Sequence, residues 1–514
     1  MSKSKFTFID LFAGIGGFRM ALDNLGGKCI NFSEINNDAI NTYCTNFNEG
    51  AEHNLGDITK IKALPSHNLL TAGVPCQSWS IAGRNLGFDD DRGQLWNDTI
   101  YLLNQSKPDA FIFENVKGLV DPRNKEALLY ILQRIKEAGY FANYYVLNSF
   151  NYGVPQNRIR IYIIGFREKK FADNFKLPAP LEKKIRLGDI ITDFDNSIHV
   201  EEDVAQRDLF GNIVGKRSMS LSSRNGFNDY FLFNDLRNGH STVHSWDIID
   251  TTDREKEICY LLLKNRRKSA YGCLDGNPLA LKHFQKLDSS VTKNEIDELV
   301  AKGILKPEEY SFRINDSKID DLTEDEEFLL SLTSNDVLVV DSLKINREIK
   351  KKKISISKTL KQLIDKEAIS CIEIRYDFKN TKISTGLFGV NRIFLPTSNI
   401  FPTLVASDTN DFITTKVISA NDEDEYKERF INEIYKTGEY RRISKEEACL
   451  IQGFPANYIL PESRARWMKL IGNSVSVPVI EIIGKAIVET GVFEHKANKS
   501  NRGKTKPLEH PVAL

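Results

Sequence analysis

The strongest constraint on the fold is an apolar run near the start of the chain that passes directly into a glycine-rich turn. Phe6 to Phe12 is mostly apolar, with aromatic and β-branched residues, and predicts a buried strand. The turn opens a helical stretch, Phe18 to Leu25, and Cys29 to Phe32 predicts the next strand. Glu34 falls about 20 residues after the first glycine, where nucleotide-binding βαβ units place a carboxylate on ribose hydroxyls. Without Glu34, the turn would fit a tight strand-to-helix connection with no ligand equally well.

The alternation of strand and helix continues through the first 167 residues. Further predicted elements are the strands Leu69 to Val74, Ala110 to Glu114 and Arg160 to Phe166, and a helix over Ala127 to Ala138. Repeated strand–helix units with short connections predict a parallel sheet covered by helices, with ligands bound outside the carboxyl ends of the strands. Glu34, Cys76 and Glu114 lie at or just after the ends of predicted strands, so we expect them at one edge of the sheet.

Composition limits the classes of protein to which the chain can belong. A chain of 514 residues is long enough for two or three domains, each with its own core. Lys plus Arg and Asp plus Glu both number 70, so a nucleic-acid-binding function would require basic residues concentrated on one surface. The sequence has neither an apolar run approaching about 18 residues nor a signal-peptide core, which predicts a cytoplasmic protein without a membrane segment. Its 7 cysteines are scattered, so neither disulfides nor a metal site is expected.

Nine sequence motifs, taken in order, resemble those of the cytosine-5 DNA methyltransferases of bacterial restriction-modification systems. The resemblance covers about half of the chain, Phe6 to Arg167 and Phe401 to Lys485. The motifs are DLFAGIGGFR at Asp10, the acid Glu34, GDIT at Gly56, GVPCQSWS at Gly73, ENV at Glu114, QNRIRIYIIGFR at Gln156, FPTL at Phe401, RRISKEEACLIQGFP at Arg441 and GNSVSVPV at Gly472.

The resemblance implies an α/β fold. It consists of a Rossmann-like, S-adenosylmethionine-dependent methyltransferase domain with a mixed, mostly parallel sheet, and a smaller inserted target-recognition domain. We expect the catalytic and cofactor-binding domain at 1–167 and the target-recognition domain at 168–400. Residues 401–495 would end the recognition region and return a C-terminal helix to the catalytic domain, and 496–514 would be a disordered tail.

Four catalytic residues are implied: Cys76, Glu114, Arg158 and Arg160. Carbon 5 of cytosine is a poor nucleophile until a thiolate adds to carbon 6, and cysteine suits this addition because it is intrinsically nucleophilic. Glu114 would donate a proton to ring nitrogen 3, which requires a raised pKa in a dry pocket. Arg160, and with weaker support Arg158, would bind the cytosine carbonyl; their i, i+2 spacing puts both on one face of a strand. The other six cysteines are expected to be structural.

The resemblance also implies the S-adenosylmethionine-binding residues. The glycine turn would approach the methionine portion, Glu34 the ribose, and Asp57 and Ile58 the adenine. The segment RNLGFDDDRGQLW after Cys76 would close over DNA, with the target cytosine flipped out of the duplex. The full expected set is Phe12, Ala13, Gly14, Gly16, Gly17, Glu34, Ile35, Asp57, Ile58, Pro75, Leu95, Asn473 and Ser474.

The middle of the chain matches no motif of the family. It carries two basic clusters, Lys264 to Lys268 and Arg347 to Lys353, each of which is as compatible with a solvated face as with DNA contact. Thr292 and Glu295 predict a capping box at the start of a helix that Gly303 ends. This helix would suit either a helix-turn-helix element or simple packing.

Three other functions share part of this pattern. An RNA cytosine-5 methyltransferase acting on transfer RNA would use the same nucleophile and cofactor residues, although the long middle region favours double-stranded DNA. A catalytically silent DNA-binding regulator would not need Cys76, Glu114, Arg158 and Arg160 together, and a nicotinamide dehydrogenase has no use for the PCQ and ENV motifs. We expect a monomer acting on nucleoid DNA, with a cognate restriction endonuclease as a separate partner.

Overall fold

The computed structural model describes residues 4–75, 91–195, 229–318, 321–333, 336–381, 383–407 and 409–494. The predicted nucleophile Cys76, most of the expected loop after it and the expected tail at 496–514 lie outside the described residues.

A six-stranded sheet organises the first part of the chain. Its order is β2-β1-β3-β4-β7-β5; β7 runs antiparallel to both of its neighbours, and the other pairs are parallel. The predicted mixed, mostly parallel sheet is therefore confirmed. The first seven strands are β1 (Phe6–Leu11), β2 (Gly27–Ser33), β3 (Leu69–Gly73), β4 (Ala110–Val116), β5 (Phe141–Asn148), β6 (Gln156–Asn157) and β7 (Ile159–Phe166).

Helices cover both faces of this sheet. Trp96 of α3 and Ile131 of α4 pack on one face against Ile9 and Phe113, which are fully buried. Phe18 of α1 packs on the opposite face against Phe8. The first five helices are α1 (Gly17–Asn24), α2 (Asn37–Phe47), α3 (Asp91–Ser106), α4 (Lys125–Glu137) and α5 (Lys169–Asn174).

The middle of the chain builds two smaller sheets with their own cores. One has the order β15-β13-β8-β9 and the other the order β11-β10-β12. Their strands are β8 (Tyr230–Phe233), β9 (Thr242–Val243), β10 (Leu305–Ile314), β11 (Val337–Val339), β12 (Ile369–Phe378), β13 (Arg392–Phe394) and β15 (Asp411–Ile413). Between the last two, β14 (Phe401–Pro402) pairs with β6 instead. The helices are α6 (Ser245–Ile248), α7 (Asp253–Asn265), α8 (Leu281–Leu287), α9 (Lys293–Ala301), α10 (Glu324–Ser331), α11 (Val340–Ile345), α12 (Arg347–Lys352), α13 (Ile356–Asp365) and α14 (Glu423–Arg429), which continues as a π-helix, Phe430–Tyr435.

The last helices return to the large sheet. They are α15 (Lys445–Gln452), α16 (Arg464–Asn473) and α17 (Val477–Glu489), and they pack on the face that carries α1. Gly484 lets α17 approach α1 closely, because a Cβ there would lie 2.8 Å from Leu25 Cδ1. Among the described residues one helical stretch, Arg464–Glu489, is long and apolar enough to cross a bilayer, but 67% of its most apolar window is buried, as in a core helix.

The cores extend beyond the motif boundaries at 167 and 400. Phe171, Leu187 and Ile191 belong to the core beneath the large sheet. Past residue 400, β15 pairs with β13, and Phe430 stacks on Phe231 with ring centroids 3.7 Å apart. The hydrophobic cores therefore cross the motif boundaries at 167 and 400, because the motifs locate functional residues and not the limits of a core.

Candidate active site

A cavity of about 430 Å³ lies at the carboxyl ends of the parallel strands β1 to β4. It brings together Glu34 and Glu114, which the sequence placed at this edge of the sheet. From the expected site, the lining includes Phe12, Gly14, Glu34, Ile35, Asp57, Ile58, Pro75, Leu95, Glu114, Arg158, Arg160 and Asn473. Lining residues that sequence reasoning missed are Ser33, Asn36, Gly56, Gly73, Val74, Val116 and Gly472.

Glu34 is fixed by backbone donors at the mouth of the cavity. Its Oε2 accepts a hydrogen bond from Gly14 N at 2.9 Å, and its Oε1 accepts from Ile35 N and Asn36 N, both at 2.8 Å. Asn54 holds the backbone of Glu34 through hydrogen bonds of 3.0 Å in both directions. The carboxylate therefore connects the glycine turn to the end of β2 and presents an acceptor group at a fixed position.

The glycines of the turn have two different roles. Gly14 has a φ of 55° and open space where a Cβ would point, so its backbone borders the cavity without a side chain. Gly16 and Gly17 do not line the cavity. A Cβ on Gly16 would collide with the Phe47 ring, and a Cβ on Gly17 would lie 2.7 Å from Val475 Cγ2. These two glycines are needed for close packing, and Ala13, which is buried beside them, is also absent from the lining.

Asp57 contributes a second carboxylate next to apolar walls. Its Oδ1 accepts hydrogen bonds from Thr59 N at 3.0 Å and from Thr59 Oγ1 at 2.8 Å. These hydrogen bonds, with the ammonium of Lys60 adding to them, lower the pKa of Asp57, so the carboxylate is ionised at neutral pH. Ile58 and Leu95 supply apolar surface beside it. This part of the cavity suits a flat heterocycle carrying a hydrogen-bond donor.

Glu114 and Arg160 form a buried pair at the inner end of the cavity. Arg160 Nε lies 3.1 Å from Glu114 Oε1, and Glu114 is only 8% exposed. The two residues are brought together because β4 and β7 pair antiparallel, with Glu114 opposite Tyr162 and Val116 opposite Arg160. Burial raises the pKa of Glu114, against the opposing effect of Arg160 and then Arg158. The direction agrees with the expectation for a proton donor at neutral pH.

Arg158 is directed mainly at the protein backbone. It is 2% exposed, and its Nη1 donates to Leu404 O at 3.2 Å. Its Nη2 donates to Gly472 O at 3.2 Å and to Ser474 O at 2.6 Å. Ser474, which was expected to contact the cofactor, does not line the cavity; its carbonyl also accepts a hydrogen bond from Gln452 Nε2 at 2.7 Å. Arg158 therefore ties two distant segments of the chain to the edge of the site.

Asn115 is a buried residue to which the sequence assigned no role. It is 1% exposed, its Nδ2 donates to Val74 O at 3.1 Å, and its Oδ1 accepts from Val116 N at 2.8 Å. The side chain thus links the end of β4, next to Glu114, to the peptide that leads through Pro75 towards position 76. The only sequence signal was a polar residue within the ENV motif.

The chain is similar to a family profile, to curated relatives and to solved structures. The profile of the family described as C-5 cytosine-specific DNA methylase matches residues 6–333 and 334–489. The type II methyltransferase M.HgiBI of Herpetosiphon aurantiacus is 39% identical over 494 residues, covering 96% of this chain and 99% of that protein. The type II methyltransferase M.NlaIV of Neisseria lactamica is 29% identical over 512 residues, covering 94% of this chain and 99% of that protein. Among solved structures, the Entamoeba histolytica methyltransferase EhMeth aligns over 95% of this chain and 99% of its own, with 13% identity and a TM-score of 0.45.

Proposed function

The chain belongs to the C-5 cytosine-specific DNA methylase family, and on that premise we propose that it methylates cytosine in a specific double-stranded DNA sequence through a covalent adduct with Cys76. The observation that carries the proposal is the buried Glu114–Arg160 pair in the same cavity as Glu34 and the glycine turn. A proton donor with a raised pKa beside a fixed cation suits the activation of a ring that must accept electrons.

The outer part of the cavity fits S-adenosylmethionine, the methyl donor of this family. Glu34 would offer its carboxylate to the ribose hydroxyls, and Asp57 with Ile58 would offer an acceptor and an apolar wall for adenine. The open space beside Gly14 leaves room for the methionine portion. When bound there, this group supplies the methyl that carbon 5 of cytosine receives.

The residues of the chain activate the base. We assign to the Cys76 thiolate the addition to carbon 6, which pushes the ring electrons onto carbon 5. Glu114 gives its proton to ring nitrogen 3, and Arg160 donates to the cytosine carbonyl. The carboxylate that remains on Glu114 is paired with the guanidinium of Arg160, so neither of these two charges is unpaired in the buried site. After carbon 5 has gained its methyl group, it loses its proton to a base and the sulfur–carbon bond breaks to release the thiolate. Ring nitrogen 3 returns its proton to Glu114, which leaves neutral 5-methylcytosine.

Base flipping and host protection complete the proposal. Glu114 and Arg160 lie inside a cavity, and a base stacked in a duplex cannot reach them, so the target cytosine must leave the helix. The relatives named above are type II methyltransferases. We therefore propose that methylation protects host DNA from a separate cognate endonuclease, and that the enzyme acts as a monomer on nucleoid DNA in the cytoplasm.

Incorporation of labelled methyl groups from S-adenosylmethionine tests this function directly. Duplex DNA should be methylated and transfer RNA should not, and bisulfite sequencing of DNA from expressing cells should reveal one recognition sequence. Cys76→Ser should abolish turnover while cofactor affinity, measured by calorimetry, stays within about twofold of wild type, because sulfur acts on the base and not on the cofactor. Undiminished methylation by Cys76→Ser, or methylation of transfer RNA alone, would overturn the proposal.

A further inference from the structure

The middle region contains a structural repeat built on one long pair of strands. β10 and β12 run antiparallel, from Leu305 opposite Phe378 to Ile314 opposite Ile369. The first helical unit (α7, α8 and α9) packs at the Leu305 end, and the second helical unit (α10 to α13) packs at the Ile314 end. Each unit adds a third strand position: Leu279 bridges Tyr376 of β12 in the first, and β11 pairs with β10 in the second. In the first unit β12 is the central strand, between β10 and the Leu279 bridge. In the second unit β10 is the central strand, between β12 and β11.

The turn from helix to strand is the same in both units. After α9, Ile304 N donates to Leu299 O at 3.0 Å; after α13, Ala368 N donates to Leu363 O at 2.9 Å. Each turn passes through one residue of positive φ, Gly303 at 75° and Glu367 at 57°. Glutamate rarely adopts this conformation, so its presence indicates that the second unit keeps the geometry of the first without the favourable residue.

An equivalent ion pair closes each unit. Lys302 Nζ lies 2.7 Å from a carboxylate oxygen of Glu255, and Lys366 Nζ lies 2.8 Å from one of Glu326. Both glutamates occupy the third position of the first helix of their unit, in capping boxes that begin at Thr252 and Thr323. The repetition extends from topology to individual contacts, so the two units share one architecture.

That architecture is a helix-turn-helix followed by a strand. In the first unit α8 and α9 form the helix pair; in the second, α12 and α13 do so, joined by a three-residue turn in which Lys353 has a φ of 57°. In DNA-binding proteins with this arrangement, the second helix of the pair lies in the major groove while the first crosses the backbone. α9 and α13 hold that second position.

Of the two helix pairs, only α12 and α13 carry an excess of exposed cations. α12 and α13 expose Arg347, Lys350, Lys351, Lys353, Lys358 and Lys361, against two carboxylates in their sequence, Glu348 and Asp365. Glu348 pairs with Lys351 at 2.7 Å. On α9, by contrast, Lys293 is paired with Asp297 at 2.5 Å and Glu298 is exposed. A chain of zero net charge has therefore concentrated cations on one of two equivalent helix pairs.

We propose that α12 and α13 form a second contact surface for duplex DNA, separate from the active-site cavity, while the first unit acts as its scaffold. The proposal rests on duplex DNA being the substrate of the enzyme. The lysines of the surface would neutralise phosphates on both sides of α13, which lengthens the segment of DNA that the enzyme holds. Because none of these residues lines the cavity, the surface contributes to DNA affinity and not to the chemical step.

Fluorescence anisotropy with a duplex that contains the methylated sequence tests the proposal. Lys358→Ala with Lys361→Ala should weaken binding about tenfold and lower the slope of log affinity against log salt by about 2, because two phosphate contacts are lost. The matched control, Lys286→Ala with Lys293→Ala, removes the same charge from α8 and α9 and should bind as wild type does. The value of kcat at saturating DNA should be unchanged in both variants.

Three outcomes would overturn the assignment. They are wild-type affinity in the α13 variant, an equal loss in the control, and equally tight competition by single-stranded RNA, which would indicate a different polymer. Failure of the proposed function would be recognised separately, because wild-type protein would then methylate no duplex. Equal melting temperatures of the two variants would show that the comparison is between folded proteins.

Discussion

At the scale of single residues, the role proposed for Glu114 requires it to hold a proton in a site that also holds a guanidinium 3.1 Å away. Burial raises the pKa of Glu114 and Arg160 opposes the rise, so the acid form is lost as the pH increases through that value. We expect kcat to fall on the alkaline side for this reason. Glu114→Gln should lower kcat about 100-fold or more and remove this limb from the pH profile. An unchanged alkaline limb in the variant would assign it to another group.

From its hydrogen bonds to Val74 O and Val116 N, we expect Asn115 to act one step away from the chemistry, as a positioning residue. Asn115→Asp keeps the shape and the acceptor for Val116 N but cannot donate to Val74 O when ionised. We expect kcat to fall about tenfold, because small displacements of a reacting group are costly, with KM for S-adenosylmethionine nearly unchanged.

Asn124→Asp is the matched control for Asn115→Asp. Asn124 is also buried, and its Nδ2 donates to Gly118 O at 2.8 Å, away from the cavity. It should lose comparable stability but not kcat. Equal losses of kcat in the two variants would show that Asn115 has only a structural role.

Residues with a chemical reason for their position were the most predictable. Glu34 and Glu114 follow strands and line the cavity, whereas Ser474 and Gly17, also expected to bind the cofactor, do not line it and make backbone and packing contacts. A sequence motif does not distinguish a residue that lines a site from one that supports it. That distinction depends on which way each side chain points.

At the scale of elements, Arg158 on the short connection between β6 and β7 joins segments that are far apart in sequence. Arg158→Ala would leave the carbonyls of Leu404 and Gly472 without this donor, each at a cost of about 1–3 kcal/mol when buried and unpaired, whereas Ser474 O keeps its hydrogen bond from Gln452 Nε2. We expect a lower melting temperature and weaker cofactor binding, because Gly472 and Asn473 line the cavity.

Arg160→Ala provides the contrast to Arg158→Ala, because Arg160 pairs with Glu114 inside the site. It should lower kcat and leave cofactor affinity nearly unchanged. Calorimetric titration with S-adenosylmethionine and thermal melting distinguish the two variants. If Arg158→Ala lost only kcat, the contribution of Arg158 would be to catalysis and not to the closure of the site.

Elements with local signals were predictable and those formed by distant pairing were not. The capping box predicted at Thr292 is confirmed. β5 was missed because it is an edge strand with many exposed residues, which obscures the alternation. The pairing of β10 with β12 was equally invisible, since the two strands are separated by four helices and one strand, and no local pattern encodes such a register.

At the scale of the whole molecule, the beginning and the end of the chain complete one core. α17 packs against α1, and β14 pairs with β6. The large sheet is therefore fully covered only by segments that follow the middle region in the sequence. Sequence motifs located both halves of this core, but the contacts between them depend on packing that no single segment specifies.

One buried carboxyl group makes the stability of this core depend on pH. Asp10 on β1 is fully buried, and its Oδ1 accepts from Thr71 Oγ1 at 2.9 Å. Within the described residues its Oδ2 has no hydrogen-bond partner. Burial raises the pKa of Asp10 to about 7, against the opposing effects of Thr71 and Arg19. The folded protein therefore keeps a proton that the unfolded chain loses at about pH 4.

Because the raised pKa belongs to the folded state, the stabilisation is fully present below the unfolded pKa and is lost as the pH rises towards 7. Between pH 5 and 8 the loss is on the order of 3 kcal/mol, or roughly 3 to 6 °C in melting temperature for a cooperative unit of about 250 to 500 residues. Asp10→Asn retains the acceptor for Thr71 and carries no proton to lose, so its melting temperature should vary less over this range and exceed that of wild type at pH 8. Parallel melting curves for both proteins from pH 5 to 8 would show that Asp10 does not carry the dependence.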